Sequence, residues 1–181
     1  PFRGFHVVRD PRDLIVSAYF SHRYSHPTAG YPHLAEHRQR LQEVSKEEGL
    51  LLEMDFSAQE LRDLGAWPYG HPDILEVKME ELTARPYEGF VRIFEFLGLR
   101  WLRRPMSVSG ELLLGRVWDH RFEKKARRRR GEEDPRSHYR KGQPGDWRNH
   151  FTAEHVAAFK EKFPGLVEKL GYSWEAELHT V

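Results

Sequence analysis

Apolar residues come in short runs separated by charged stretches. Phe5, His6, Val7 and Val8 form a nearly continuous apolar run, the pattern of a buried parallel strand. Asp10 and Pro11 follow at once. Asp is a good N-cap and Pro is favoured at the first helical position. Asp13, three residues after Asp10, suggests a variant capping box. Leu14, Ile15, Ala18 and Tyr19 continue as an apolar helical face. The pattern therefore predicts a strand, a tight turn and a helix, with Arg9 at the turn. Leu41, Val44 and Leu51 support one helix from Glu36 to about Met54, and Ser57 with Glu60 predicts a capped helix ending near Gly65. A turn cluster at Trp67 to Pro72 precedes a second strand, Ile74 to Val77. Phe90, Ile93, Phe94 and Leu97 predict a helix closed by Gly98. The basic run Lys124 to Arg130 and the polar stretch Gly131 to Arg136 read as an exposed, mobile loop. Beyond the glycines at 142 and 145, Thr152 caps a final helix carrying Val156, Phe159 and Phe163. Strands alternating with helices, with no repeat and no clear boundary, predict a single α/β domain over residues 1–181 with a mainly parallel sheet.

Composition narrows the possible functions. The 181 residues carry 29 Lys+Arg against 28 Asp+Glu. A near-neutral balance argues against a dedicated nucleic-acid binder, so any anion site must be local. There is no cysteine, which excludes disulfide scaffolds, thiolate metal sites and cysteine nucleophiles. The missing cysteine and the lack of a signal-peptide pattern suggest a cytoplasmic setting, and no apolar run has the length of a membrane span. The sequence opens on Pro1 rather than Met, which suggests an upstream piece.

Two segments carry chemistry. In Val7-Val8-Arg9-Asp10-Pro11-Arg12-Asp13, with Ser17 further along the same helix, a helix N-terminus presents free N–H groups and a positive dipole end. Arg9 adds a guanidinium fork suited to phosphate. The same spacing also allows Arg9 to pair with Asp13 and simply lock the turn. In Arg140-Lys141-Gly142-Gln143-Pro144-Gly145-Asp146-Trp147, two cations precede a pair of glycines that allow close backbone approach to a ligand. The alternative there is an exposed basic loop tethered by a buried Trp147.

Together, and in this order, the two segments resemble the PAPS-dependent sulfotransferases, where PAPS is 3′-phosphoadenosine 5′-phosphosulfate. The first resembles that family's strand-turn-helix for the 3′-phosphate, and the second its Arg-Lys-Gly-x-x-Gly-Asp-Trp loop. Lys78 to Leu82 and the Phe90 to Gly98 segment also resemble the family, so the likeness runs from Phe5 to Tyr172. It implies a P-loop-NTPase-like three-layer fold with a mainly parallel sheet flanked by helices, lacking its N-terminal strand-loop-helix. It implies that Arg9 and Ser17 bind the 3′-phosphate, with Arg140 and Lys141 contacting it by side chain and Gly142 by its backbone. The implied activity is transfer of a sulfuryl group from PAPS, as co-substrate, to a hydroxyl or amine of a small-molecule or glycan acceptor, with no metal required. The phosphosulfate loop and the usual catalytic base would lie upstream of Pro1, so no catalytic residue is assigned here. Met79 stands where many members carry a Tyr near the adenine. The implied acceptor pocket draws on His22 to His37 and parts of Leu112 to Arg121.

Other readings compete. The alternative function is a catalytically inactive remnant that binds a nucleotide or anion and acts as an interaction module. His22 and His26 are four apart, as are His33 and His37, a spacing that places two imidazoles on one helix face. No HExxH pattern accompanies them, and no metal site is expected. Arg127 to Arg130 reads as a solvated run offset by Glu132, Glu133 and Asp134 rather than a nucleic-acid patch. Trp67, Trp101, Trp118 and Trp174 read as packing residues. Neither a membrane nor a nucleic acid is an expected partner, and oligomeric state is not legible.

Overall fold

The structure is a computed structural model, and it describes residues 2–99 and 110–175. Contacts divide it into two compact units. The first comprises the described parts of Pro1–Arg9, Pro68–Glu133 and Lys141–Gln143, and the second those of Asp10–Trp67, Asp134–Arg140 and Pro144–Val181.

The first unit holds the sheet. Strand β1 (Gly4–Val8) pairs in parallel with β2 (Ile74–Lys78), in a register that runs from Gly4 opposite Ile74 to Val8 opposite Lys78. Helices α5 (Met79–Ala84) and α6 (Pro86–Phe96) follow β2 directly. Val77, Leu82 and Ile93 form the core, with Leu75, Phe90, Phe94 and Leu97 packed against it. The predicted period of α6 is therefore its buried face. Gly98 ends it with φ 78°, the left-handed C-terminal cap that glycine adopts without a Cβ clash. A parallel strand pair with helices packed on it bears out the α/β reading. One expectation is corrected: β1 is not a buried strand. Val8 is buried, but Phe5 and Val7 are exposed, because among the described residues β1 has β2 as its one sheet neighbour.

The basic run is also more ordered than the sequence suggests. Helix α7 (Gly110–Asp119) is followed by α8 (Phe122–Ala126), which takes in Lys124 and Lys125. Arg130 donates to Glu123 Oε1 at 3.0 Å and to the carbonyl of Thr83. Local ion pairs and a backbone acceptor thus hold a stretch read as a mobile loop. Trp118 on α7 is exposed, with the Arg121 guanidinium over its ring, so it is not a core packing residue. Trp67 is exposed as well, and Trp101 lies outside the described residues.

The second unit is helical. Helix α1 (Pro11–Phe20) starts as predicted, with the Asp10 carboxylate accepting from Arg12 N at 3.0 Å. Instead of one helix over 36–54 there are two, α2 (Pro32–Glu43) and α3 (Lys46–Phe56). The break has a local cause. Val44 is extended, and Ser45 caps α3 by accepting from Glu48 N at 3.1 Å. Ser45-x-x-Glu48 is itself a capping-box spacing, masked in the sequence by the apolar period on both sides. Replacing Ser45 with alanine is expected to lower stability by about 1 kcal/mol, read as an earlier urea midpoint with unchanged slope.

Helix α4 (Ala58–Ala66) forms where expected but without the predicted cap. Ser57 Oγ instead donates to Glu53 Oε1 at 2.6 Å. Ile15, Val16 and Tyr19 of α1 pack with Leu50 and Met54 of α3 and Leu41 of α2 in the buried core. Gly49 permits the close crossing of α3 over α1, since a Cβ there would lie 2.6 Å from a Tyr19 ring carbon. Helix α9 (Ala153–Lys162) is capped by Thr152 as predicted, in a box whose second member is His155. His155 accepts at Nδ1 from Thr152 N and donates from Nε2 to the Glu47 carbonyl, so it joins α9 to α3. A short α10 (Leu166–Lys169) completes the unit. No helix among the described residues is long and apolar enough to cross a membrane.

Candidate functional site

The two motifs meet within the second unit. Asp13 lies in the first turn of α1 and is almost fully buried. Its carboxylate reaches the backbone of the glycine loop. Oδ2 accepts from Gly145 N at 2.5 Å and Oδ1 from Trp147 N at 2.8 Å. The helix of the first motif thereby fixes the backbone of the glycine loop. Gly145 has φ 77°, which lets the chain enter the 3-10 turn Asp146–Asn149 with its N–H directed at Asp13.

Asp146 organises the cationic side of this loop. Its Oδ2 accepts from Arg140 Nη2 at 2.5 Å and lies 3.2 Å from His150 Nε2, while Oδ1 accepts from Asn149 Nδ2 at 2.8 Å. Held so, the Arg140 guanidinium lies over the Phe20 ring, 4.5 Å from its centroid. Phe20 also meets the His150 ring edge-on at 5.3 Å. Arg140 is thus laid flat against the last turn of α1, the helix that carries Ser17 one turn earlier. The Ser17 hydroxyl is half-buried, with no partner in its unit among the described residues.

Beneath this loop Arg12 forms a structural anchor. Its Nε and Nη2 donate to the two oxygens of Asp10 at 2.9 and 2.7 Å, and its Nη1 donates to the Ser173 carbonyl at 2.8 Å. Its guanidinium carbon lies 3.9 Å from the Trp147 ring centroid and 4.7 Å from that of Trp174. Trp147 is buried, as its tethering role requires, and Trp174 packs as the sequence suggests.

The other expected residues fall in the first unit. Arg9 follows β1, is half-buried, and makes no hydrogen bond or ion pair in its unit among the described residues. Lys141 Nζ lies 3.8 Å from Glu133 Oε2, and the Lys141 carbonyl accepts from Gly131 N at 2.9 Å. Gly142 has φ 67°, and a Cβ there would come within 2.5 Å of the Phe122 ring. Both the left-handed backbone and the contact with Phe122 require glycine. Met79 opens α5 and is exposed.

Sequence reasoning missed one cluster altogether. His22, His37 and Glu53 bring their ligand atoms within 4.8 Å of one another. The spacing-based pairs, His22 with His26 and His33 with His37, did not predict it. His22 lies on a π-helical segment (Ser21–Ser25) that ends α1, His37 on α2 and Glu53 on α3. Burial alone would raise the Glu53 carboxyl, but hydrogen bonds from His22, His37 and Ser57 outweigh it and hold it below the usual carboxylate range.

No curated protein matches the chain. Among solved structures it is similar to the mouse sulfotransferase SULT7A1 complexed with PAP, at 19% identity and a TM-score of 0.49. The similarity covers 94% of this chain and 59% of that one, so the chain spans less than two thirds of that protein's length. The sulfotransferase domain profile matches residues 3–171, nearly the whole sequence, and the chain therefore belongs to the sulfotransferase domain family.

Proposed function

We propose that this chain supplies the 3′-phosphate-binding part of a PAPS-dependent sulfotransferase. The carrying observation is the Asp13 carboxylate, which takes both Gly145 N and Trp147 N and so joins the two phosphate-associated motifs across the sequence. In this reading Arg9 and Ser17 bind the 3′-phosphate, Arg140 and Lys141 contact it by side chain, and Gly142 contacts it through its backbone. Several charge-assisted bonds to one phosphate select the 3′-phosphorylated nucleotide, because an ordinary adenylate cannot form them. The mouse structure carries PAP, the nucleotide that remains after transfer.

The reaction is in-line. The acceptor oxygen or nitrogen forms a bond to sulfur while the bond from sulfur to the 5′-phosphate oxygen breaks. The acceptor proton passes to a base and PAP departs as an anion stabilised by cationic groups. The acceptor is a small molecule or glycan, met by residues from His22 to His37 and from parts of Leu112 to Arg121. Absence of cysteine supports a reducing compartment such as the cytoplasm.

The test is calorimetric titration of this chain with adenosine 3′,5′-bisphosphate beside adenosine 5′-monophosphate, repeated with Arg9→Ala. The bisphosphate is expected to bind selectively, and Arg9→Ala to weaken it about 10- to 100-fold, the worth of one charge-assisted hydrogen bond. Equal affinity for both nucleotides, or no binding by a folded chain, refutes the assignment.

A further inference from the structure

The cluster of His22, His37 and Glu53 takes no part in the nucleotide-binding residues described above. Glu53 has no exposed side-chain surface, His37 is buried, and His22 is 18% exposed. His22 Nδ1 lies 3.0 Å from both Glu53 oxygens, and His37 Nε2 lies 2.9 Å from Oε2. Metal bonds of about 2.0–2.1 Å, at angles between a right angle and tetrahedral, set ligand atoms about 2.9–3.4 Å apart. The separations of the two ring nitrogens from Glu53 fall at the lower end of that range, and all three ligand atoms lie within 4.8 Å of one another, so a cation fits after small rotations of the rings.

We propose that His22, His37 and Glu53 form a two-histidine, one-carboxylate site for a divalent transition metal, zinc foremost. The donor set is the one zinc takes in open sites, with a remaining position for water. Each imidazole would bind through the nitrogen that already faces Glu53 and carry its proton on the other ring nitrogen. Two neutral histidines and one carboxylate leave a zinc ion with a net charge of +1. The open position falls on the side of His22, the most exposed of the three ligands.

The surroundings fix all three ligands before any ion arrives. The π-helical segment that presents His22 is an uncommon conformation, frequent at functional sites. Arg38 clamps it by donating to the His22 carbonyl at 2.6 Å and to the His26 carbonyl. The His37 ring stacks on Phe56 with centroids 3.9 Å apart and planes 5° from parallel, and Phe56 also meets His22 edge-on at 5.4 Å. Ser57 Oγ donates to Glu53 Oε1 at 2.6 Å, the outer hydrogen bond that orients a ligating carboxylate. Sulfuryl transfer needs no metal, so the ion's work here is to cross-link the π-helical segment, α2 and α3.

The experiment strips the chain with chelator and titrates it with zinc chloride by calorimetry. In parallel, cobalt(II) is added and its visible absorption recorded. One zinc per chain, a zinc-dependent rise in Tm, and the intense cobalt bands of a four- or five-coordinate site are expected. His22→Ala removes a partly exposed ligand and leaves the core in place, and Glu53→Gln keeps the shape. Each should weaken zinc by at least about ten-fold and abolish the cobalt bands. His33→Ala, at an exposed position, should change neither. A folded chain that binds no zinc overturns the proposal and leaves a hydrogen-bonded buried carboxylate. Binding unaffected by His22→Ala and Glu53→Gln also overturns it, by assigning the ion to other histidines.

Discussion

Replacing Asp13 with alanine is expected to lower the stability of the chain by about 3–5 kcal/mol. Asp13 is 1% exposed, and its two oxygens accept from the backbone of a loop more than 130 residues away. Hydrogen bonds to a charged acceptor contribute about 1.5–3 kcal/mol each, and the substitution also leaves two N–H groups without their acceptor. Asparagine keeps one acceptor oxygen but no charge and replaces the other by a donor, so Asp13→Asn should lose about half as much. Urea unfolding measures both. The stabilities should rank wild type, Asp13→Asn, Asp13→Ala. A loss below about 1 kcal/mol for alanine would mean that the loop N–H groups find water instead, and that the loop is not held by this carboxylate. Function should fail ahead of folding. At a temperature where Asp13→Asn is still folded, its affinity for adenosine 3′,5′-bisphosphate should already be reduced, because Arg140 enters the same loop through Asp146.

The same residue shows where a sequence can and cannot be read. Local features were legible. The turn after β1 announces itself through Asp10-Pro11, the period of α6 through Phe90, Ile93 and Phe94, and α9 through Thr152, because each depends on neighbours within a turn or two. Asp13 was legible only through its near neighbours, as a capping-box partner of Asp10 or an ion-pair partner of Arg9, and its partners at 145 and 147 leave no trace in local spacing. Ser57 was misread for a related reason. A serine before a helix has two uses, capping the helix or serving a buried neighbour, and the neighbour here is Glu53 on the preceding helix. The histidine cluster goes further: a spacing of four is informative only on a continuous α-helix. His22 sits on a π-helical turn and its partners come from α2 and α3. The residues proposed for the phosphate are legible only because two motifs occur in a fixed order, which is information about a family and not about local geometry.

Arg12→Ala is expected to lower stability by about 3–5 kcal/mol, the penalty for breaking one partner out of a buried pair. The substitution removes both guanidinium donors from the carboxylate of Asp10, itself buried, and leaves the Ser173 carbonyl without its partner. It also empties the space beside Trp147 and Trp174, where cation–π attraction is largest because water is excluded. Arg12→Lys tests the cause. An ammonium keeps the charge but cannot form the two-pronged bond to Asp10 while lying flat on the indoles, so lysine should recover less than half of the loss. Full rescue by lysine would show that charge alone matters and that the planar fork contributes nothing. The pair can be isolated further by a cycle with Asp10→Asn, which keeps an acceptor for the helix cap at Arg12 N. If the buried ion pair is the main term, Arg12→Ala should cost markedly less in the Asp10→Asn background than in wild type, because the stranded charge is gone. If the cost is the same in both backgrounds, the tryptophan contacts and the Ser173 bond carry the anchor, and Asp10 serves α1 alone.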